Sequence, residues 1–141
     1  MRLRREGVTG LAAAAALLGA LAISAAAAAP VPKNGAWSGV GQEDLKIGFE
    51  VTQHKVQASW GPQARIYVRY RTATCTAAGS VNAPPATPDS DGRFTITQGN
   101  DTVKGRFTSP TTVRGKFIHV QTVNCTPGTY KFKFVARRFP R

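Results

Sequence analysis

The chain has 141 residues, with 19 Lys and Arg against 7 Asp and Glu, and a formal net charge of +12. That length holds one domain rather than several. The charge favours anionic partners and salt-sensitive binding, and it also serves solubility.

Residues 1–29 read as a secretory signal peptide. Arg2, Arg4 and Arg5 form a positive start, Leu11 to Ile23 is an uncharged run, and Ser24 to Ala29 offers small residues for cleavage. Cleavage is expected near Ala26 to Ala28. The alternative is an uncleaved anchor, since Leu11 to Ala29 gives nineteen uncharged residues. Much of that run is Ala, which is only weakly apolar. Glu6 and Gly7 directly after Arg4 and Arg5 make a twin-arginine signal weak. No second apolar run follows, so no membrane span is expected in the mature domain. Removing 1–29 takes away three Arg and Glu6 and leaves 16 basic against 6 acidic residues, a net +10.

Residues 30–35 read as an extended leader and 36–141 as a single β domain. Ala36 to Gly41 makes a first short strand. Leu45, Ile47, Phe49 and Val51 alternate with Lys46, Gly48, Glu50 and Thr52, which is the period of a half-buried strand. Val56, Ala58 and Trp60 predict another, stopped by Gly61 and Pro62. Ile66, Val68 and Tyr70 alternate with Arg65, Tyr67, Arg69 and Arg71. The pattern then breaks, and the Gly- and Pro-rich stretch 77–92 is expected as a long surface loop. Strands resume at Phe94 and Ile96, at Val103 and Phe107, and at Val113 and Phe117. The last sets Tyr130, Phe132, Phe134 and Ala136 against Lys131, Lys133 and Arg137. No helical period appears after residue 30. The expected fold class is all-β: a small antiparallel β-sandwich or flattened barrel of about eight strands, preceded by a helical signal segment. A true immunoglobulin domain is rejected, because Trp37 and Trp60 both precede Cys75.

Cys75 and Cys125 are the only cysteines, and in an exported chain they are expected to pair. Without nearby His they make a poor metal site. No cofactor is expected.

Val103 to Phe107 (Val-Lys-Gly-Arg-Phe) recurs ten residues later as Val113 to Phe117 (Val-Arg-Gly-Lys-Phe), with turn residues between, and Gly92-Arg-Phe94 is a looser copy. With Gly35, Trp37 and Gly39 near the start and Cys125 before an aromatic strand, this layout resembles short exported bacterial β-rich proteins of unknown function with Gly-x-Phe repeats and one Cys pair. The resemblance implies a disulfide-closed β domain. It supplies no activity, so no functional residue carries over.

Catalysis needs a placed nucleophile, acid or base. His119 continues the inward parity of Val113 and Phe117 and reads as a core or edge histidine; His54 lies between strands. No nucleophile elbow or zinc-protease motif occurs. Glu43 and Asp44 are sequence neighbours, which on a strand would face opposite ways. Asp89 and Asp91 have the opening spacing of a calcium loop, but no later Glu completes it, and a turn is the better reading. Trp37 and Trp60 could form a sugar-stacking platform, but core or rim packing is the preferred reading, because a small domain needs its large aromatics.

The basic strands are the specific feature. A hairpin centred on Pro110 puts Lys104 opposite Lys116 and Arg106 opposite Arg114, although like charges so placed repel. Arg65, Arg69 and Arg71 form a second stripe on one strand. These seven residues are the candidate anion-binding set. The reading is a secreted or envelope-associated, non-enzymatic binding module for an anionic polymer or envelope surface. Two other readings stand beside it. One is a structural or inhibitor-type module in which charge serves solubility and guards strand edges; the other is an unrecognised hydrolase.

Intact-mass analysis of exported material should give a mature start between about residues 25 and 30. Full-length chain recovered in the membrane fraction would contradict this.

Overall fold

A computed structural model describes residues 27–57, 66–72, 75–122 and 125–140. The signal run, Arg65 and Trp60 lie outside the described residues, as does most of the predicted second strand. The elements are β1 (Gly35–Gly41), β2 (Lys46–Thr52), β3 (Lys55–Gln57), β4 (Ile66–Arg71), β5 (Thr76–Val81), β6 (Arg93–Gln98), β7 (Asp101–Ser109), β8 (Thr112–Gln121) and β9 (Gly128–Arg138). They form one nine-stranded antiparallel sheet in the order β5-β4-β2-β1-β9-β8-β7-β6, with β3 paired to β2. Of the two architectures expected, the barrel is the closer: the sheet is single, and it curls.

Ring contacts across the interior prove the curl. Tyr70 on β4 and Phe117 on β8 are four strand steps apart, about 19 Å in a flat sheet, yet their rings are 6.1 Å apart. Phe49 on β2 and Phe94 on β6 are five steps apart and lie at 6.3 Å. Trp37 stacks on Phe49 at 5.8 Å and meets Phe107 edge-on at 5.4 Å. Trp37 is 2% exposed, so it is a core residue and offers no platform for sugar. Its indole nitrogen donates to the Lys33 carbonyl at 3.2 Å, which holds the leader against the core.

The recurring Gly-x-Phe unit has a packing cause. Gly105 faces Phe94, and Gly115 faces Phe134, in register. A Cβ built on Gly105 would lie 2.5 Å from the Phe94 ring. One on Gly115 would lie 2.4 Å from the Lys104 carbonyl oxygen and 2.5 Å from the Phe134 ring. Each phenyl fills the space that its glycine partner leaves empty, a cross-strand pairing known to stabilise sheet glycines.

The stretch expected as one loop over 77–92 begins as strand. β5 pairs with β4 along its whole length, from Ile66 opposite Val81 to Arg71 opposite Thr76. Its Thr-Ala-Ala-Gly-Ser-Val sequence lacks the alternation of large apolar residues that marks a strand, and tertiary pairing overrides that weak local signal. The remaining 82–92 segment is pinned by an isolated bridge, in which Val56 and Ala86 exchange backbone hydrogen bonds at 2.9 Å. Asp89 closes the turn that follows: its carboxylate accepts from the backbone N–H groups of Asp91 and Arg93, each at 2.9 Å. Glu43 and Asp44 are not on a strand. Both hold a left-handed φ of 54° in the β1–β2 turn.

Cys75 and Cys125 form a disulfide, with Cα atoms 5.5 Å apart. It joins the chain just before β5 to the segment before β9, and so ties one end of the curl to the β8–β9 side. Among the described residues no helix is long and apolar enough to cross a membrane.

Gly115→Ala should lower the unfolding free energy by about 1–3 kcal/mol, because the crowding atom is backbone and cannot move aside cheaply. Gly79 is the control: nothing lies within 4 Å of its Cβ position, so Gly79→Ala should be neutral or stabilising by about 0.4–1 kcal/mol. Urea titration of both variants checks the contrast.

Candidate anion-binding face

The β7–β8 register places Lys104 opposite Lys116, Gly105 opposite Gly115 and Arg106 opposite Arg114. The strand pairing thus brings together the four hairpin cations expected from the repeat. All four are exposed, on the face opposite the core. The turn is Pro110 and Thr111, and the Lys33 N–H donates to the Pro110 carbonyl at 2.9 Å.

The neighbouring strands extend the set. On one side Arg93 of β6 faces Arg106. On the other, Lys133 faces Lys116, Lys131 faces Ile118 and Arg137 faces Thr112. Partners in an antiparallel register share a face. The outer face of β6 to β9 therefore carries Arg93, Lys104, Arg106, Arg114, Lys116, Lys131, Lys133 and Arg137. No Asp or Glu among the described residues of these four strands points the same way: Asp101 has inward parity, with Val103. Asp91, in the turn before β6, is the carboxylate that contacts this face. Asp91 is bonded to Arg93 at 2.9 Å, and its carbonyl accepts from Arg106 Nε at 3.1 Å.

The predicted second stripe is placed in part. Arg65 lies outside the described residues. Arg69 and Arg71 are exposed on β4. Arg69 is opposite Lys46, Lys46 opposite Val40, Val40 opposite Val135 and Val135 opposite Arg114. Arg69 is thus four strand steps from Arg114 around the outside of the curl. Near it, Asp44, Lys46 and Arg71 line a separate depression of about 290 Å³. That group contains a carboxylate and is not continuous with the β6–β9 cations.

Arg93, Lys131, Lys133 and Arg137 were absent from the sequence-derived candidates, yet a signal for them existed. Lys131, Lys133 and Arg137 alternate with core residues, and β8 and β9 are consecutive antiparallel partners. For Arg93 the signal is Gly99-Asn100, a two-residue turn between Gln98 and Asp101 that fixes the β6–β7 register.

A second polar cluster sits on the inner side. His119 Nδ1 donates to Asp101 Oδ1 at 2.5 Å, and its Nε2 meets Gln121 Oε1 at 2.5 Å. Asp101 and His119 are direct cross-strand partners, so this group clasps β7 to β8. Asp101 and Gln121 thus contact the two ring nitrogens from either side. His54 is exposed in the β2–β3 turn, beside the Pro32 carbonyl at 2.9 Å from Nδ1. Next to His119 lies a cavity of about 140 Å³ lined by Val68, Tyr70, Gly79, Val81, Asp101 and Phe117, among others. Tyr70 is 3% exposed, and its hydroxyl has no hydrogen-bond partner. Burial raises its pKa above the usual 10.0, and the nearby charges of Asp101 and then Tyr130 push the same way.

No protein family, curated protein or solved structure matches the chain.

Tyr70→Phe should raise stability by on the order of 1 kcal/mol, because it removes a buried hydroxyl without a partner. The parent should also lose stability as pH rises above 10.0. In that window the unfolded tyrosine ionises while the folded one still holds its proton. The variant should show a flatter alkaline limb in urea titrations. A less stable variant would show that the hydroxyl is satisfied in solution.

Proposed function

We propose that the chain is an exported, non-catalytic binding module whose β6–β9 outer face holds anionic polymers or anionic envelope surfaces. One observation carries this reading. Eight cations stand on the outer face of four adjacent strands that carry no outward Asp or Glu of their own among the described residues, only Arg93 being ion-paired, to Asp91 in the preceding turn, even though direct like-charge pairs weaken a sheet. Lys104, Lys116 and Lys133 form one row, and Arg93, Arg106 and Arg114 form the next. A sheet that needed charge only for solubility would serve better with mixed signs. The disulfide is compatible with an oxidising, extracellular setting. The signal-like start and the likeness to short exported bacterial proteins support export.

Binding to heparin, a soluble acidic polysaccharide, tests the reading. If four cations engage, affinity should fall on the order of a hundredfold between 50 and 200 mM salt, through counterion release. Replacing Arg106 and Arg114 by Gln should weaken low-salt binding about tenfold and reduce the salt slope, with the far-ultraviolet spectrum unchanged. Salt-independent binding, or none, would return the face to a role in solubility and protection of strand edges.

A further inference from the structure

The anion-binding face also carries apolar side chains. Among the described residues the exposed large hydrophobics are Val31, Val40 (67%), Val120 (41%) and Phe139 (55%). Val40 shares the outward parity of Ser38 on β1. Val120 continues the outward series Arg114, Lys116, Ile118 on β8. Phe139 follows Lys131, Lys133, Val135, Arg137 at the end of β9, where its N–H donates to the Ala36 carbonyl at 2.9 Å. Three of these four therefore lie on the side that carries the cations. Val40 is directly opposite Val135, and Val135 opposite Arg114. Val40 and Val135, flanked by Arg114, Lys116 and Lys133, line an open depression of about 640 Å³, within the range of small-ligand clefts.

A single exposed valine is ordinary. The informative feature is the distribution. From Thr129, the partner of Val120, to Phe139 is ten residues, about 33 Å of strand. Apolar side chains stand at both ends of that line and at its middle, and cations stand between them. An acidic polysaccharide offers charge but nothing to cover Val40 and Phe139. Nucleic acid offers bases, which stack on aromatic rings but gain little from aliphatic valines. A bilayer containing anionic lipid offers both layers at once: negative head groups for Lys and Arg, and hydrocarbon a few ångströms deeper for the apolar tips.

We infer that the outer face of β1, β9, β8 and β7 docks on anionic lipid bilayers. This rests on the anion-binding reading above and narrows it to one class of partner. The protein lies on the surface: Val40, Val120 and Phe139 reach the head-group and acyl boundary while the flanking cations pair with lipid phosphates. Arg114, Lys116 and Lys133 hold a head group in the depression over Val40 and Val135.

Sedimentation of the mature protein with vesicles tests this, using phosphatidylglycerol mixed with phosphatidylcholine, phosphatidylcholine alone, and heparin binding in parallel. The parent should bind the mixed vesicles and not the neutral ones. Val40→Ser with Phe139→Ser should lower vesicle affinity about tenfold and leave heparin affinity within about twofold. Arg106→Gln with Arg114→Gln should lower both, about thirtyfold for vesicles. Phe139→Ser alone, at the chain end, gives the same test in weaker form should Val40→Ser disturb folding. An apolar variant that binds vesicles as tightly as the parent overturns bilayer docking, and so does heparin binding without vesicle binding. In both cases the broader anion-binding reading survives. Failure to bind vesicles and heparin alike overturns both.

Discussion

The rings of Phe94 and Phe134 rest against Gly105 and Gly115, and the inner face has no room for a side chain at either position. On the concave side of a curled sheet the strands crowd inward, so every added atom must find room. A Cβ at either glycine would fall 2.5 Å or less from a ring or carbonyl. The large residues can then converge from non-adjacent strands: Tyr70 reaches Phe132 at 4.7 Å, and Trp37 reaches Phe107 at 5.4 Å. The disulfide acts across the same curl. Its loop of 50 residues corresponds to about 4 kcal/mol in the chain-entropy account. That is comparable to the net stability of a small domain.

The bend has an opposite consequence outside. Side chains on a convex surface splay apart, which gives the long chains of Lys104, Lys116 and Lys133 room to spread. Two unit charges about 10 Å apart in water repel by only about 0.4 kcal/mol, and salt screens that further. Curvature thus lowers, without removing, the cost of direct like-charge partners relative to a flat sheet. Packing on the inside and charge on the outside meet in the same repeat. Gly105 stands between Lys104 and Arg106, and Gly115 between Arg114 and Lys116. The five-residue repeat presents packing residues inward and cations outward.

Much of this was legible in the sequence, and the limits have physical causes. Strands with large alternating residues, such as Lys46–Thr52 and Gly128–Arg138, declare both their existence and their buried face. The register of the repeat hairpin matches the repeat itself, Val103 opposite Phe117 and Phe107 opposite Val113, but it is reached through a β-bulge between Phe107 and Ser109 that the short turn at Pro110 and Thr111 does not announce. β5 was missed because Ala, Gly and Ser carry almost no periodic signal; it exists through its partner β4 and the adjacent Cys75. The extent of the basic face was also hidden. Parity assigns Lys131 and Lys133 to one side of their strand, but only the β8–β9 pairing sets them beside Lys116. The Asp101–His119 clasp needed that same long-range information. So did the connection from Arg69 through Lys46, Val40 and Val135 to Arg114, which crosses strands far apart in the chain. The apolar residues of the outer face went unread because an isolated Val40 or Phe139 has no meaning until its neighbours in space are known.

If an anionic partner meets the protein on one face of the curl, the lysines brought together by strand pairing are covered as a group. Lysine footprinting tests it most directly. The protein would be acetylated briefly, with and without anionic vesicles or heparin, and the modified lysines quantified by mass spectrometry. Lys104, Lys116, Lys131 and Lys133 should be protected together. Lys33 in the leader and Lys55 on β3 should react as they do in the free protein. Uniform protection of all lysines, or protection centred on Lys33 and Lys55, would contradict the account.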